Sequence, residues 1–455
     1  MAGIGFELRK ILKKNTLLSI FEAYGLAGVV SSGPWVLSIV ALMVIGVLSI
    51  GKVTEDIVVV QFLVIVTYLM AGSLILSGLF QLMLTRFIAD QFFSKNQEAV
   101  TPNLLGCMVV SSILAILVGV GLLSFSELEP AVKVVILTSF VVLCNLWLII
   151  IFLSGMKQYY RILTTLIGGY GVMIIGSLFF SSFGLLGLLS VFAVSQAVIT
   201  FVFLFFVLRY FPSKKLVAFD FLNPNKIFLS LVLCGVMYNV GVWIDKFCFW
   251  INPVLNVQVI DVFYASFIYD LPIFLAYLAI IPGMAVFMLH METDFAQSCE
   301  KFYKTVREGG TLKSIYILKE KMVKDCQNSI YQIFKVQGVT LALLLLWAKD
   351  ILEAIGIDAA YLHLFYVDLV GVSLQVLVMA ILNVMFYLDK RYEALALVTC
   401  IVITNFTFTQ ISIYLGPAFY GYGFALAMLV TTLLGLIQLN SQFKNLEYQT
   451  FMLQD

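Results

Sequence analysis

The chain has 455 residues, of which 62% are hydrophobic and 12% charged, and its net charge is +1. A soluble chain of that length needs far more charge to cover its surface, so a soluble globular fold is excluded. Long continuous apolar runs exclude a membrane β-barrel, whose strands alternate polar and apolar residues, and leave an all-α polytopic membrane protein.

Residues 1–19 set Phe6, Leu8, Ile11 and Leu12 beside Arg9, Lys10, Lys13 and Lys14. That pattern predicts a short amphipathic helix on an anionic leaflet. No short apolar core with a small-residue cleavage site opens the chain, so no cleaved signal peptide is read. A spanning helix needs about 20 apolar residues. By that rule twelve spans follow, near residues 25–50, 57–80, 104–125, 132–154, 162–180, 185–208, 227–249, 262–289, 336–355, 361–388, 394–415 and 424–439. Gly33–Pro34 predicts a kink or gating point in the first. Residues 209–226, with Pro212, Pro224 and three lysines, read as a linker. The division is then an N-terminal six-helix bundle over 1–212, a cytoplasmic linker over 213–226 and a C-terminal six-helix bundle over 227–455. The longest loop is placed at 291–335. Within it Ile315, Leu318, Met322, Cys326, Ile330 and Ile333 recur at helical spacing with lysines between them, which predicts an interfacial helix.

With twelve spans, 23 of the 27 Lys and Arg residues fall on one side; the other side holds Lys52, Lys133, Lys246 and Lys349. The positive-inside rule then places both termini in the cytoplasm, and the expected location is the cytoplasmic (inner) membrane. Topology and anionic lipids account for the basic loops, and no nucleic-acid partner is read from them.

The polar residues inside the apolar runs carry the functional reading, because ionisable groups in hydrocarbon are costly. Asp245 and Lys246 close the run 227–249, which also holds Tyr238, Asn239 and Gly241. Neighbours on a helix diverge by about 100°, so the two side chains are not expected simply to neutralise each other. Either they face an aqueous cavity, or they end the helix at the outer interface with Lys246 snorkelling to water. Tyr269 and Asp270 occupy the next span, with Pro272 as a second kink; Asp270 either binds a cation, a proton or a cargo hydroxyl, or serves as a buried structural partner for Lys246 or Tyr269. Asp368 follows the same logic. The candidate substrate path is therefore Tyr238, Asn239, Asp245, Lys246, Tyr269 and Asp270. A positional echo supports two related halves: polar, interrupted helices open both, at Gly28–Pro34 and Tyr238–Lys246.

His290–Met291–Glu292–Thr293–Asp294 has one histidine and the wrong spacing for HExxH, so His290, Glu292 and Asp294 read as a cytoplasmic gate or interface with no metal and no catalysis. The seven cysteines form no CxxC pair, there is no GxxxxGK[ST] loop, and no cofactor is expected.

The opening MAGIGFELRK, SSGPW at 31–35, WIDKFCFW at 243–250 and HMETDF at 290–295 resemble the PelG family. That family forms the membrane-embedded exporter of Pel exopolysaccharide systems, within the multidrug/oligosaccharidyl-lipid/polysaccharide exporter superfamily. The resemblance implies two six-helix bundles around a central cavity with alternating access. It also implies a hexosamine-rich polysaccharide substrate, a cytoplasmic glycosyltransferase partner and membrane subunits that include a cyclic-di-GMP receptor. Polysaccharide export by an alternating-access or channel-like path is the leading reading, and the chain is not read as an enzyme. The alternatives are a lipid-linked oligosaccharide flippase, a multidrug antiporter, a scaffold for a synthase that makes its own channel and, last, a membrane acyltransferase using His363.

Overall fold

The computed structural model describes residues 16–49, 56–153, 159–223 and 227–452. The expected amphipathic N-terminal helix lies outside them. The described chain is almost wholly helical. Its first part holds α1 (Leu17–Ser49), α2 (Asp56–Phe93), α3 (Val100–Leu123), α4 (Pro130–Leu153), α5 (Tyr159–Phe180), α6 (Gly184–Tyr210) and α7 (Leu229–Ile251). A two-stranded antiparallel hairpin follows, β1 (Val257–Ile260) and β2 (Phe263–Ala265). Then come α8 (Phe267–Ala276), α9 (Ile280–Val286), a π-helix at Phe287–Phe295 and α10 (Ala296–Arg307). The chain closes with α11 (Leu312–Ile355), α12 (Leu362–Tyr387), α13 (Arg391–Leu415), α14 (Tyr422–Lys444) and α15 (Leu446–Met452).

Nine described stretches are long and apolar enough to cross a membrane. One of them, Arg161–Tyr210, is two helices, α5 and α6, separated by a 3-10 turn at Ser181–Phe183. The expected spans at 25–50 and 336–355 are not among the nine; they fall on α1 and on the C-terminal half of α11.

Contacts divide the chain into two compact units, one made of residues 1–32 with 268–455 and the other of 33–267. α1 contributes to both, and α7 belongs with the helices that precede it. The boundary expected at 213–226 therefore falls inside the second unit: compactness and chain order divide the molecule differently. The reason is local packing. The stretch after α6 is fastened along the start of α3, where Thr101 Oγ1 donates to the Phe211 carbonyl at 2.5 Å and the Ala218 N–H to the Pro102 carbonyl at 3.0 Å. Asn103 Oδ1 accepts from the Phe221 N–H at 3.2 Å, its amide donates to Asp220 at 3.1 Å, and Phe221 is buried. α7 then packs on α2 at a glycine crossing. A Cβ on Gly235 would lie 2.1 Å from the Gly78 carbonyl oxygen, and one on Gly78 would lie 2.8 Å from that of Gly235. Close backbone approach through small residues is the usual device of membrane helices, where apolar surface alone gives no preference for protein over lipid.

The far end of α3 is held as well. Asp261, at φ 47° in the hairpin turn, accepts a hydrogen bond from the Ser126 hydroxyl and another from the Glu127 N–H at 2.7 Å. Tyr68 on α2 donates to the Tyr264 carbonyl at 2.9 Å and stacks on Trp250 at 4.5 Å. The Ser126 hydroxyl, followed by the neighbouring backbone N–H groups and Lys133, holds the Asp261 carboxyl below its ordinary range.

In the other unit the expected loop 291–335 is a helical hairpin. α10 turns through Gly309 (φ 70°) into α11, whose start is capped by Thr311 Oγ1 accepting from the Ser314 N–H at 3.3 Å. The residues expected to face lipid are instead packed inward: Ile315, Met322, Cys326 and Ile333 are at most 4% exposed. α11 runs without a break from this segment into the apolar stretch, so its 44 residues reach about 66 Å at 1.5 Å per residue. Charged residues marked the limit of the apolar span, and the helix continues past it.

Two outcomes test this packing. Helix propensity favours alanine over glycine by up to ~1 kcal/mol, yet Gly235→Ala is expected to destabilise by about 1–3 kcal/mol, because overpacking against a backbone oxygen outweighs propensity. The measurement is the thermal midpoint in detergent, and an unchanged or raised midpoint contradicts the crossing. For Asp261, a depressed carboxyl stabilises the docked hairpin above the unfolded value of about 4 and loses that contribution only as pH falls through the lower folded value. Hydrogen exchange over 257–265 should rise in Asp261→Ala at neutral pH, and in the parent chain only under acid conditions.

Candidate functional site

α7 carries the strongest candidates. Asp245 and Lys246 are both fully buried, and they meet each other. Lys246 Nζ lies 2.9 Å from Asp245 Oδ2 and 3.2 Å from Oδ1, and it donates to the Val242 carbonyl at 3.0 Å. This corrects the sequence expectation on two points. The side chains do neutralise each other, and Lys246 does not snorkel. The Cβ directions diverge as expected, but the flexible lysine stem folds back along the helix. In a low dielectric the attraction between the two charges far exceeds the torsional cost of that turn.

An aromatic cluster begins at the pair. The Lys246 ammonium sits 5.9 Å from the centre of the Trp243 ring. Trp250 lies 6.3 Å from Trp243 and 5.4 Å from Phe247, and its other neighbour, Tyr68, ties this cluster to the β-hairpin. Tyr238 and Asn239 are half-buried, and Asn239 spends one amide hydrogen on the Gly235 carbonyl at 3.0 Å, beside the glycine crossing.

In the other unit, Tyr269 and Asp270 are buried on α8, 1% and 8% exposed. Pro272 lies inside this helix, as expected, but the helix yields further on. α8 gives way to a 3-10 turn at Tyr277–Ala279, then to α9 and the π-helix, so one expected span is four segments. Pro282 lies just past the break, within α9. A proline at 282 cannot bond the carbonyl four residues back, at Leu278. Gln337 on α11 completes the junction: its Nε2 donates to the Ala279 carbonyl at 3.0 Å and to Ser373 at 3.1 Å. Gly283 leaves room for it, since a Cβ there would lie 2.3 Å from the Gln337 carbonyl oxygen. The signal was present as a glutamine inside an apolar run.

The HMETDF segment forms the π-helix, a conformation that is rare and recurs at functional sites. His290 Nδ1 lies 3.3 Å from Asp294 Oδ2. Glu292 accepts from Asn383 at 3.1 Å and from the Tyr387 hydroxyl at 2.8 Å, which fastens the segment to α12. Asp368 is fully buried on α12. Gly33 and Pro34 fall within α1, but their side chains are outside the described residues. Among the described residues no cluster of three or more His, Cys, Asp or Glu side chains could hold a metal.

The chain is similar in structure to transporters. One is an outward-facing multidrug-resistance MATE transporter of the MOP superfamily, at 14% identity and TM-score 0.67, covering 93% of this chain and 96% of that one. Another is a MOP-superfamily transporter from Pyrococcus furiosus, at 15% identity and TM-score 0.62, covering 92% and 96%. An inward-facing MATE transporter matches at 14% identity and TM-score 0.58, covering 90% and 96%. These likenesses establish the fold, the helical bundles of MOP transporters. No curated protein matches the sequence. Residues 1–451 match the family described as "PelG: Putative exopolysaccharide Exporter (EPS-E)". Family and fold are those of membrane transporters rather than enzymes. The chain belongs to the PelG family.

Proposed function

We propose that this protein carries an exopolysaccharide, a Pel-like polymer rich in hexosamine, across the cytoplasmic membrane with both termini in the cytoplasm. The observation that carries this reading is a match to an exopolysaccharide-exporter family over nearly the whole chain, on a transporter fold. Tyr238, Asn239, Asp245 and Lys246 on α7 and Tyr269 and Asp270 on α8 are the proposed path residues. Asp245 and Lys246 enter as a pair: each holds the other in the resting state, and cargo hydroxyls or amines compete for one partner at a time. Pro272 and Pro282 give the α8–α9 segment the interruptions that bundle motion uses. The π-helix with His290, Glu292 and Asp294 is the proposed cytoplasmic gate. The hairpin of α10 and α11 offers a basic surface to a glycosyltransferase that makes the polymer, with a cyclic-di-GMP receptor in the same assembly.

The flippase reading gains nothing from the pair. A pyrophosphate anchor calls for net positive charge in the membrane, and Lys246 with its Asp245 counter-ion offers none.

Separating folding from transport is the core of the test. Asp245→Asn alone leaves a buried ammonium without its counter-ion, at a cost of about 3–5 kcal/mol, and is expected to lower the amount of folded protein. The double variant Asp245→Asn/Lys246→Met removes both charges and should restore protein level. Its polymer export should nevertheless fall about tenfold or more, the effect of one lost charge-assisted contact of roughly 1.5–3 kcal/mol. Asp270→Asn should reduce export in the same way with protein level intact. Export is measured by deleting the native copy, supplying each variant with the synthesis enzymes active, and fractionating hexosamine polymer into secreted, intracellular and lipid-linked pools. Normal secretion from both variants removes these residues from the path, and accumulation of lipid-linked oligosaccharide in the deletion replaces polymer export with flipping.

A further inference from the structure

A cavity of about 510 Å³ lies within one unit, among α11, α12 and α14. Its size falls in the roughly 300–1,000 Å³ range of small-ligand sites. Its lining is graded. At one end sit Leu374, Leu377, Leu429 and Leu433, from the middle of two spanning helices. At the other end are Gln327 and Asn440. Tyr331 and Phe334 border it along α11 and are each 60% exposed, far more than aromatic side chains in a packed core.

Two lysines continue the polar end. Lys324 precedes Gln327 by three residues on α11, and Lys444 follows Asn440 by four on α14; both offsets keep a residue on the same helix face. Both lysines are exposed. Of the acids nearby, Glu447 pairs with Lys319 and Asp325 accepts from the Ser298 hydroxyl, while Glu320, one turn before Lys324, is exposed to solvent. The groove thus has an apolar floor in the spanning segments and a cationic, amide-bearing mouth at the end of α14. That is the complement of an amphiphile with an anionic head. The inward-packed stripe of α11 explains why the outer stripe is left for such a ligand: Met322, Ser329 and Ile333 hold the helix to the bundle, and Tyr331 and Phe334 turn away from it.

We propose that this groove is a binding site for an anionic glycerophospholipid of the bilayer, its acyl chain along Leu377 and Leu433 and its phosphate at Lys324 and Lys444. The lipid fastens the long α11 hairpin to α12 and α14 and makes its position depend on membrane composition. The proposal is independent of the export reading, because binding is measured without polymer.

Phe334→Trp places a reporter at the groove. The full-length variant is reconstituted in bilayers containing bromine-labelled phosphatidylglycerol or bromine-labelled phosphatidylcholine, and the quenching beyond that of the parent chain is recorded. Preferential quenching by phosphatidylglycerol is expected. That preference should fall about fivefold for each of Lys324→Gln and Lys444→Gln, the ~1 kcal/mol that a basic residue contributes at an anionic membrane surface. Both substitutions are at exposed positions, so folding is retained. Equal quenching by the two lipids, or a preference untouched by the lysine variants, overturns the proposal. So does displacement of phosphatidylglycerol by polyprenyl phosphate, which would give the groove to a lipid carrier instead.

Discussion

Hydrocarbon offers no hydrogen bonds, so a polar group that enters it without a partner in the chain carries a heavy cost. That constraint organises this protein. Asp245 and Lys246 resolve it by bonding each other and a carbonyl of their own helix. The backbone broken between α8 and α9 resolves it through Gln337, sent from a helix more than fifty residues away. Asn239 resolves it with a carbonyl one turn back. Each solution ties a polar residue to a particular neighbour, and those ties position the candidate site.

The same constraint connects the site to the frame. The aromatic cluster around Lys246 ends in Tyr68, and Tyr68 binds the strand that follows the hairpin turn. The hairpin in turn is fastened to the end of α3 by Asp261, while the start of α3 holds the segment that leads into α7. One helix thus receives the chain on both sides of the candidate residues. With the glycine crossing at Gly78 and Gly235, this makes α7 a fixed element of its unit.

Much of this was legible in the sequence, and the failures have identifiable causes. The apolar runs announce their helices because the thickness of a bilayer sets their length. Asp245, Lys246, Asp270 and the HMETDF segment stand out because charge is rare in such runs. Over 291–335 the expected interfacial helix is a packed hairpin, because charge ends only the part of a helix that lies in lipid, and Ile315 and Met322 have protein to pack against. The pairing of Asp245 with Lys246 was missed because ideal helix geometry describes where side chains start and says little about where a four-carbon stem ends. Pro272 is accommodated inside α8 while the helix breaks at Tyr277–Ala279, where Gln337 reaches the Ala279 carbonyl; a proline in the sequence does not show where a helix yields or which side chain meets the freed backbone.

The amino-acid sequence by itself determined the class, the rough limits of most apolar segments, and the family, because these rest on composition, length and local motif. Tertiary structure alone decided which helices belong together, that α7 packs with the helices before it, that the pair on α7 is closed on itself, and that one face of α11 is packed while the other lines a groove. These are outcomes of competition between contacts distant in sequence, such as Gly78 with Gly235 or Gln337 with Ala279. A linear pattern shows that such residues are unusual; only the fold shows which partner each one meets.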